Sequence, residues 1–141
     1  MNKSLISLLA SAICAVALPL GAGAQEKMPI MAGGPSMEVG VAGGKLMVDS
    51  VEAPAEGYVV VHMMADDKPG DVIGYAPVKS GENKNIEIKL DKQPNPGDKL
   101  AIMLHQDTGK MGTYEFGMEG SKEDAPAMTE GKPVMEMVTV K

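Results

Sequence analysis

The chain has no tryptophan, no arginine, a single cysteine and only four aromatic side chains, Tyr58, Tyr75, Tyr114 and Phe116. Each shortage narrows what the protein can do. Nucleic-acid recognition relies on a basic face and on arginine forks. Here 13 lysines face 19 carboxylates and the formal net charge is −6, so that class is excluded, and anionic membrane surfaces are disfavoured on the same ground. Four aromatics are too few for an extended sugar- or base-stacking platform. After residue 24 no apolar run approaches the ~20 residues that a membrane-crossing helix needs.

What is present begins at the N-terminus. Met1-Asn2-Lys3 is a short cationic start, Leu5 to Leu20 is apolar with small residues, Pro19 and Gly21 end any helix, and Ala22-Gly23-Ala24 is an A-x-A cleavage site. This pattern predicts a secretory signal peptide over residues 1–24. The expected destination is the periplasm of a Gram-negative cell, or otherwise the cell exterior. A membrane anchor fits less well, because the run is short and ends at proline. Cys14 lies inside the apolar stretch, and Ile13 before it does not suit lipoprotein cleavage. Cleavage after Ala24 leaves 117 residues, enough for one domain with a core. It also removes the cysteine and one lysine, so 12 lysines face 19 carboxylates and the net charge becomes −7. No disulfide or thiol chemistry is then available.

Methionine is the excess. Twelve of the 13 remain after cleavage. A thioether fills irregular core space, and it is also a soft ligand for Cu(I). Residues 25–35, rich in Gly, Pro and Met without a period, read as a flexible leader. From residue 36 short apolar runs alternate with turn residues. A hairpin is expected at Ala42-Gly43-Gly44, and strands over Tyr58–Met64, Val72–Val78, Asn85–Leu90, Leu100–His105, Thr113–Phe116 and Val134–Val140. Gly74 and Pro77 mark the Val72–Val78 strand as an edge or bulged one. Residues 117–132 read as a long loop. No helical period appears after residue 24. The expected fold is all-β: a single antiparallel β-sandwich of about seven or eight strands, immunoglobulin-like or cupredoxin-like, over residues 36–141.

Several stretches carry a resemblance to a known family. They are Ser50-Val51-x-Ala53-Pro54-x-x-Gly57-Tyr58-Val59-Val60-Val61-His62, Val72-Ile73-Gly74, Asn85-Ile86-x-Ile88-x-Leu90, Met103-Leu104-His105-x-Asp107-x-Gly109, Tyr114-Glu115-Phe116 and Asp124-x-Pro126. In this order they resemble a family of secreted domains of unknown function found in halophilic archaea and bacteria. The resemblance implies an exported immunoglobulin-like β-sandwich and no activity. It also implies that His62 and His105 recur in relatives that are not rich in Met, which favours a structural role for them. Gln106 and Met137 depart from the family, which often has a basic residue and an aromatic at those places. Asp107, Glu115 and Asp124 are motif residues to which the resemblance gives no role.

Three constellations could carry chemistry. In a strand, residues i and i+2 share a face, so His62 sits with Met64, and Met103 with His105. If Val59, Val61, Leu100, Ile102 and Leu104 face the core, these four face outward. In immunoglobulin order their strands are antiparallel neighbours, and the four gather on one patch. Imidazole with thioether and no thiolate suits copper better than zinc; Met28 and Met31 of the leader could add donors. The plain alternative is packing for the Met and a loop hydrogen bond for His105. The second constellation is His105-x-Asp107 as an acid/base pair. No nucleophile signature accompanies it, and Asp107 reads better as a turn cap. The third comprises the acidic runs Asp66-Asp67-x-x-x-Asp71 and Glu119-x-x-x-Glu123-Asp124, which lack EF-hand spacing and read as solvated surface. The functional expectation is therefore an exported, non-enzymatic binding module with copper as its most concrete ligand. A structural or adhesion domain contacting an envelope protein is the alternative, and an oxidant sink using Met28, Met31 and Met37 is a third reading.

Overall fold

A computed structural model describes residues 29–117 and 120–141. The expected signal peptide, Met28 and Glu119 lie outside the described residues. The chain forms β1 (Ile30–Met31), a 3-10 turn (Gly34–Ser36), β2 (Glu38–Val39), β3 (Val41–Ala42), β4 (Lys45–Ala53), β5 (Gly57–Ala65), β6 (Lys68–Val78), β7 (Gly81–Lys89), β8 (Lys99–Gln106), β9 (Met128–Thr129), β10 (Lys132–Pro133) and β11 (Met135–Val140). The all-β expectation holds.

Two sheets face each other. In the first, β4 pairs with β7 along its length, while β1 and β3 flank its other edge. The second has the order β2-β11-β8-β5-β6, antiparallel except for β2 alongside β11. Its run β11-β8-β5-β6 corresponds to the G-F-C-C′ order of a variable-type immunoglobulin sheet. β9 and β10 pair as a separate two-stranded ribbon, whose flanking residues Ala127 and Val134 bond Leu104 of β8. Alternation decides what each strand buries. Leu46, Val48 and Ile88 from the first sheet meet Val59, Val61, Leu100, Ile102 and Leu104 from the second in one apolar cluster. Each such side chain contributes about 1.5–3 kcal/mol by leaving water.

The turns follow their chemistry. Gly43 and Gly44, both with positive φ, close the expected β3–β4 hairpin. Asp66 and Asp67 also take positive φ, and Ala65 pairs with Lys68. This two-residue turn of the primed kind places the acidic pair at a hairpin tip. As expected, β6 is an edge strand, and its register with β5 shifts on both sides of His62.

Two expectations need correction. The leader is tied into the domain: Ile30 pairs with Val51, and Ile30 and Ala32 are buried. The buried Glu136 carboxylate accepts the Ala32 N–H at 3.1 Å. A Met/Gly/Pro composition hid two residues that the core takes up. The second is Thr113–Phe116, which is a loop and not a strand. The Glu115 N–H bonds the Asp124 carboxylate rather than a neighbouring strand.

β5 and β8 differ from the other strands in being buried on both faces, Gly57–His62 and Leu100–His105 without a break. One face meets the first sheet. The other is covered by the segment between β8 and β9, and the candidate site lies under that cover.

Candidate functional site

The outer face of the second sheet carries Tyr58, Val60 and His62 from β5, opposite His105, Met103 and Ala101 from β8. The expectation that these strands are antiparallel neighbours holds, and so does the inward direction of Val59, Val61, Leu100, Ile102 and Leu104. The imidazoles are not exposed, however. His62 is 5% and His105 0% accessible, because residues 107–117 and 120–127 fold across them.

The cover is built on Asp124. Its buried carboxylate accepts N–H bonds from Thr108 (2.8 Å), Gly109 (3.3 Å) and Glu115 (2.7 Å). Its own N–H bonds the Thr108 hydroxyl, and its carbonyl accepts from His105 Nδ1 at 2.7 Å. Glu115 accepts the Lys110 N–H, and Asp107 caps the Gly112 N–H at 2.7 Å while receiving the Tyr58 hydroxyl at 3.5 Å. A Cβ at Gly109 would crowd the Glu115 carboxylate and the Glu123 Cβ. The three motif residues thus acquire structural roles: Asp124 organises the loop, while Glu115 and Asp107 cap its turns. His105 bonds Asp124, and Asp107 serves Tyr58 and Gly112, so the geometry builds no His105–Asp107 acid/base pair.

All four aromatic side chains of the chain gather under or within this cover. Tyr75 and Tyr114 stack at 4.5 Å, Tyr58 meets both edge-on, and Phe116 meets His105 edge-on at 4.9 Å. His62 and His105 stack at 5.7 Å with 22° between their planes. An open cavity of about 440 Å³, lined in part by Tyr75, Tyr114, Phe116, Asp71 and Asp91, reaches His62.

The electrostatics follow from burial. Desolvation drops the His105 pKa to about 4, against the opposing pull of the Asp124 carbonyl. Burial, reinforced by Asp124 and Tyr75, pushes the Tyr114 phenol up to about 12. Burial raises Tyr58 as well, with Asp107 adding to it.

Hydrogen-bond satisfaction singles this place out. Four buried side-chain polar atoms have no partner among the described residues: His62 Nε2, His105 Nε2, Tyr114 Oη and Asp107 Oδ1. All four belong to this one cluster, linked through ring contacts and the Tyr58–Asp107 bond. Native interiors rarely leave such atoms unmatched, and each costs about 1–3 kcal/mol. The two imidazoles are alike in a further way. His62 Nδ1 faces the Gly70 carbonyl at 2.9 Å, and His105 Nδ1 faces that of Asp124. A carbonyl only accepts, so each Nδ1 carries the hydrogen, and in the neutral ring the lone pair is left on Nε2. This is how metal-ligating histidines are held, with one nitrogen fixed by a backbone carbonyl and the other turned to the ion.

The sulfur donors divide. Met103 is buried on the same face, two residues from His105 and one diagonal step from His62. Met64 is half-buried and lies further along β5, opposite Pro69. Met31 is in β1, in the other sheet, and exposed. Among the described residues no three of His, Cys, Asp and Glu converge as a metal site. What the register brings to one face is two stacked imidazoles with Met103 on the same face of the sheet. Sequence reading missed the aromatic cover and the Asp124 hub. The signals were present: a chain with four aromatics places two of them in Tyr114-Glu115-Phe116, and β5 and β8 read as unbroken apolar runs, which a strand wet on one face does not.

Residues 36–141 match the family described as a domain of unknown function, DUF7282, and the chain belongs to that family. No curated protein and no solved structure matches it.

Proposed function

We propose that this protein is an exported, non-enzymatic binding module that takes a cuprous ion between His62 and His105, with Met103 as the adjacent soft donor. The observation that carries this reading is the pair of buried Nε2 atoms, each unpartnered while its Nδ1 is held by a backbone carbonyl. Two imidazoles with a thioether and no thiolate suit Cu(I). The depressed His105 pKa keeps its lone pair available well below neutral pH. Asp71 and Asp91, which help line the cavity, favour approach of a cation. Export rests on the signal-peptide pattern of residues 1–24.

The test is anaerobic titration of the protein with Cu(I) against a chromophoric chelator, with Zn(II) as a parallel arm. One Cu(I) per chain is expected. His62→Ala and His105→Ala, confirmed as folded by circular dichroism, should each lose affinity by about tenfold or more. Affinity unchanged in both variants contradicts the proposal, as does a preference for Zn(II).

A second reading has its own observation. Among the described residues, seven of the nine large apolar side chains exposed on the surface are methionines. Reversible sulfoxidation of these would make the surface an oxidant sink. Peptide mass spectrometry after mild oxidant should then find sulfoxide at Met31, Met37, Met111 and Met128 before Met103. Equal oxidation of Met103 contradicts selective protection.

A further inference from the structure

Strand register extends the thioether set beyond the buried site. On the outer face, β11 presents Met135 opposite Met103, and Met137 opposite Ala101. Across β8, Met103 faces Val60 and Ala101 faces His62. Met137, Ala101 and His62 therefore form one row across three strands, with the smallest side chain in the middle. Met135 and Met103 share the next row. Two strand spacings are about 10 Å, and Met103 occupies the diagonal between the exposed and the buried ends. Exposure falls along this path, from 51% at Met137 and 38% at Met135 to 4% at Met103 and 5% at His62.

We infer that Met135 and Met137 are the receiving end of the site, a surface thioether pair that takes Cu(I) from a donor and passes it by way of Met103 to the two histidines. The inference rests on the proposed function above and adds a route to it. Met135 and Met137 keep 38% and 51% of their surface in solvent beside the buried Met103, and a thioether is a soft ligand for Cu(I). The transfer is ligand exchange only. Copper stays cuprous, and each new Cu–S or Cu–N bond replaces one that breaks. The ion ends among nitrogen donors under the aromatic cover, which sets the direction.

The experiment separates loading rate from affinity. Apo protein is mixed anaerobically with Cu(I) held by a methionine-containing peptide, and loading is followed by stopped flow. Equilibrium affinity is measured separately by chelator competition. Met135→Leu/Met137→Leu, which keeps size and exposure, should load about tenfold more slowly with affinity close to wild type. Met103→Leu should lower the affinity itself by about tenfold or more. Wild-type loading rates in the double variant overturn the route and leave the His site standing. No Cu(I) uptake by the wild-type protein removes the site and the route together.

Discussion

His105 Nδ1 lies 2.7 Å from the carbonyl oxygen of Asp124, and this contact helps join the strand carrying the imidazole to the loop that buries it. Asp124 sits at positive φ and is wholly buried. Its carboxylate and backbone hold His105, Thr108, Gly109 and Glu115 together.

The first prediction concerns protonation. An unfolded histidine titrates near 6.5, and the folded His105 only at about 4. Between those values the unfolded chain takes up a proton that the folded one refuses. The stability contributed is therefore complete above pH 6.5 and is lost as the pH falls towards 4, by about 3 kcal/mol. Nitrogen-detected NMR should show His105 as the Nδ1–H tautomer at pH 7, with a titration midpoint near 4. Urea midpoints should fall between pH 7 and pH 4.5, and less steeply in His105→Phe. A His105 midpoint near 6.5 contradicts the burial argument.

Asp124→Ala should be among the most damaging single changes. It leaves three backbone N–H groups without their charged acceptor, at a cost of about 3 kcal/mol or more. Asp124→Asn retains one oxygen and should cost roughly half as much. Chemical denaturation gives the stability, and tyrosine fluorescence reports Tyr114 and Tyr58 gaining solvent. A loss below 1 kcal/mol in Asp124→Ala, on the same hydrogen-bond scale, contradicts the hub.

Glu136 behaves in the opposite sense. Burial raises its pKa, with the Ala32 N–H pulling it back and Asp49 adding to the rise. The folded state then holds a proton to higher pH than the unfolded chain, so this group lowers stability as pH climbs through 4.5 towards the raised value. Glu136→Gln, which can still accept the Ala32 N–H, should leave stability at pH 7 unchanged or raise it by up to about 1 kcal/mol. Thermal melts at pH 4 and pH 7 would show the gap between variant and wild type opening at the higher pH. A variant clearly less stable at pH 7 is the contrary result.

Gly57 begins β5 against the end of β8, where any Cβ would collide with the His105 carbonyl. Gly57→Ala should therefore displace β5 from β8 and cost about 1–3 kcal/mol. Amide hydrogen exchange should speed up in β8 near His105. Protection equal to wild type contradicts the close packing of the two strands.

Much of this architecture can be read from the chain. Alternation of Ile86, Ile88 and Leu90 marks β7, Gly43-Gly44 marks a hairpin, and the i, i+2 rule puts His62 and His105 on one face. What alternation does not convey is what covers that face. The cover depends on side chain-to-backbone bonds from Asp124, Asp107 and Glu115, and such bonds have no period. The same limit applies to Ile30, whose pairing with Val51 follows from the core having room for it and not from its Gly- and Pro-rich surroundings. The i, i+2 rule groups Met64 with His62, and the shift in register between them carries Met64 away to face Pro69; Met31, grouped by residue type, lies in the other sheet.

The most direct measurement of the central claim is X-ray absorption at the copper edge on the Cu(I)-loaded protein. The account predicts two imidazole nitrogens with one sulfur in the wild type, and loss of the sulfur signal in Met103→Leu. Sulfur or oxygen scatterers alone, with no imidazole multiple scattering, would contradict it.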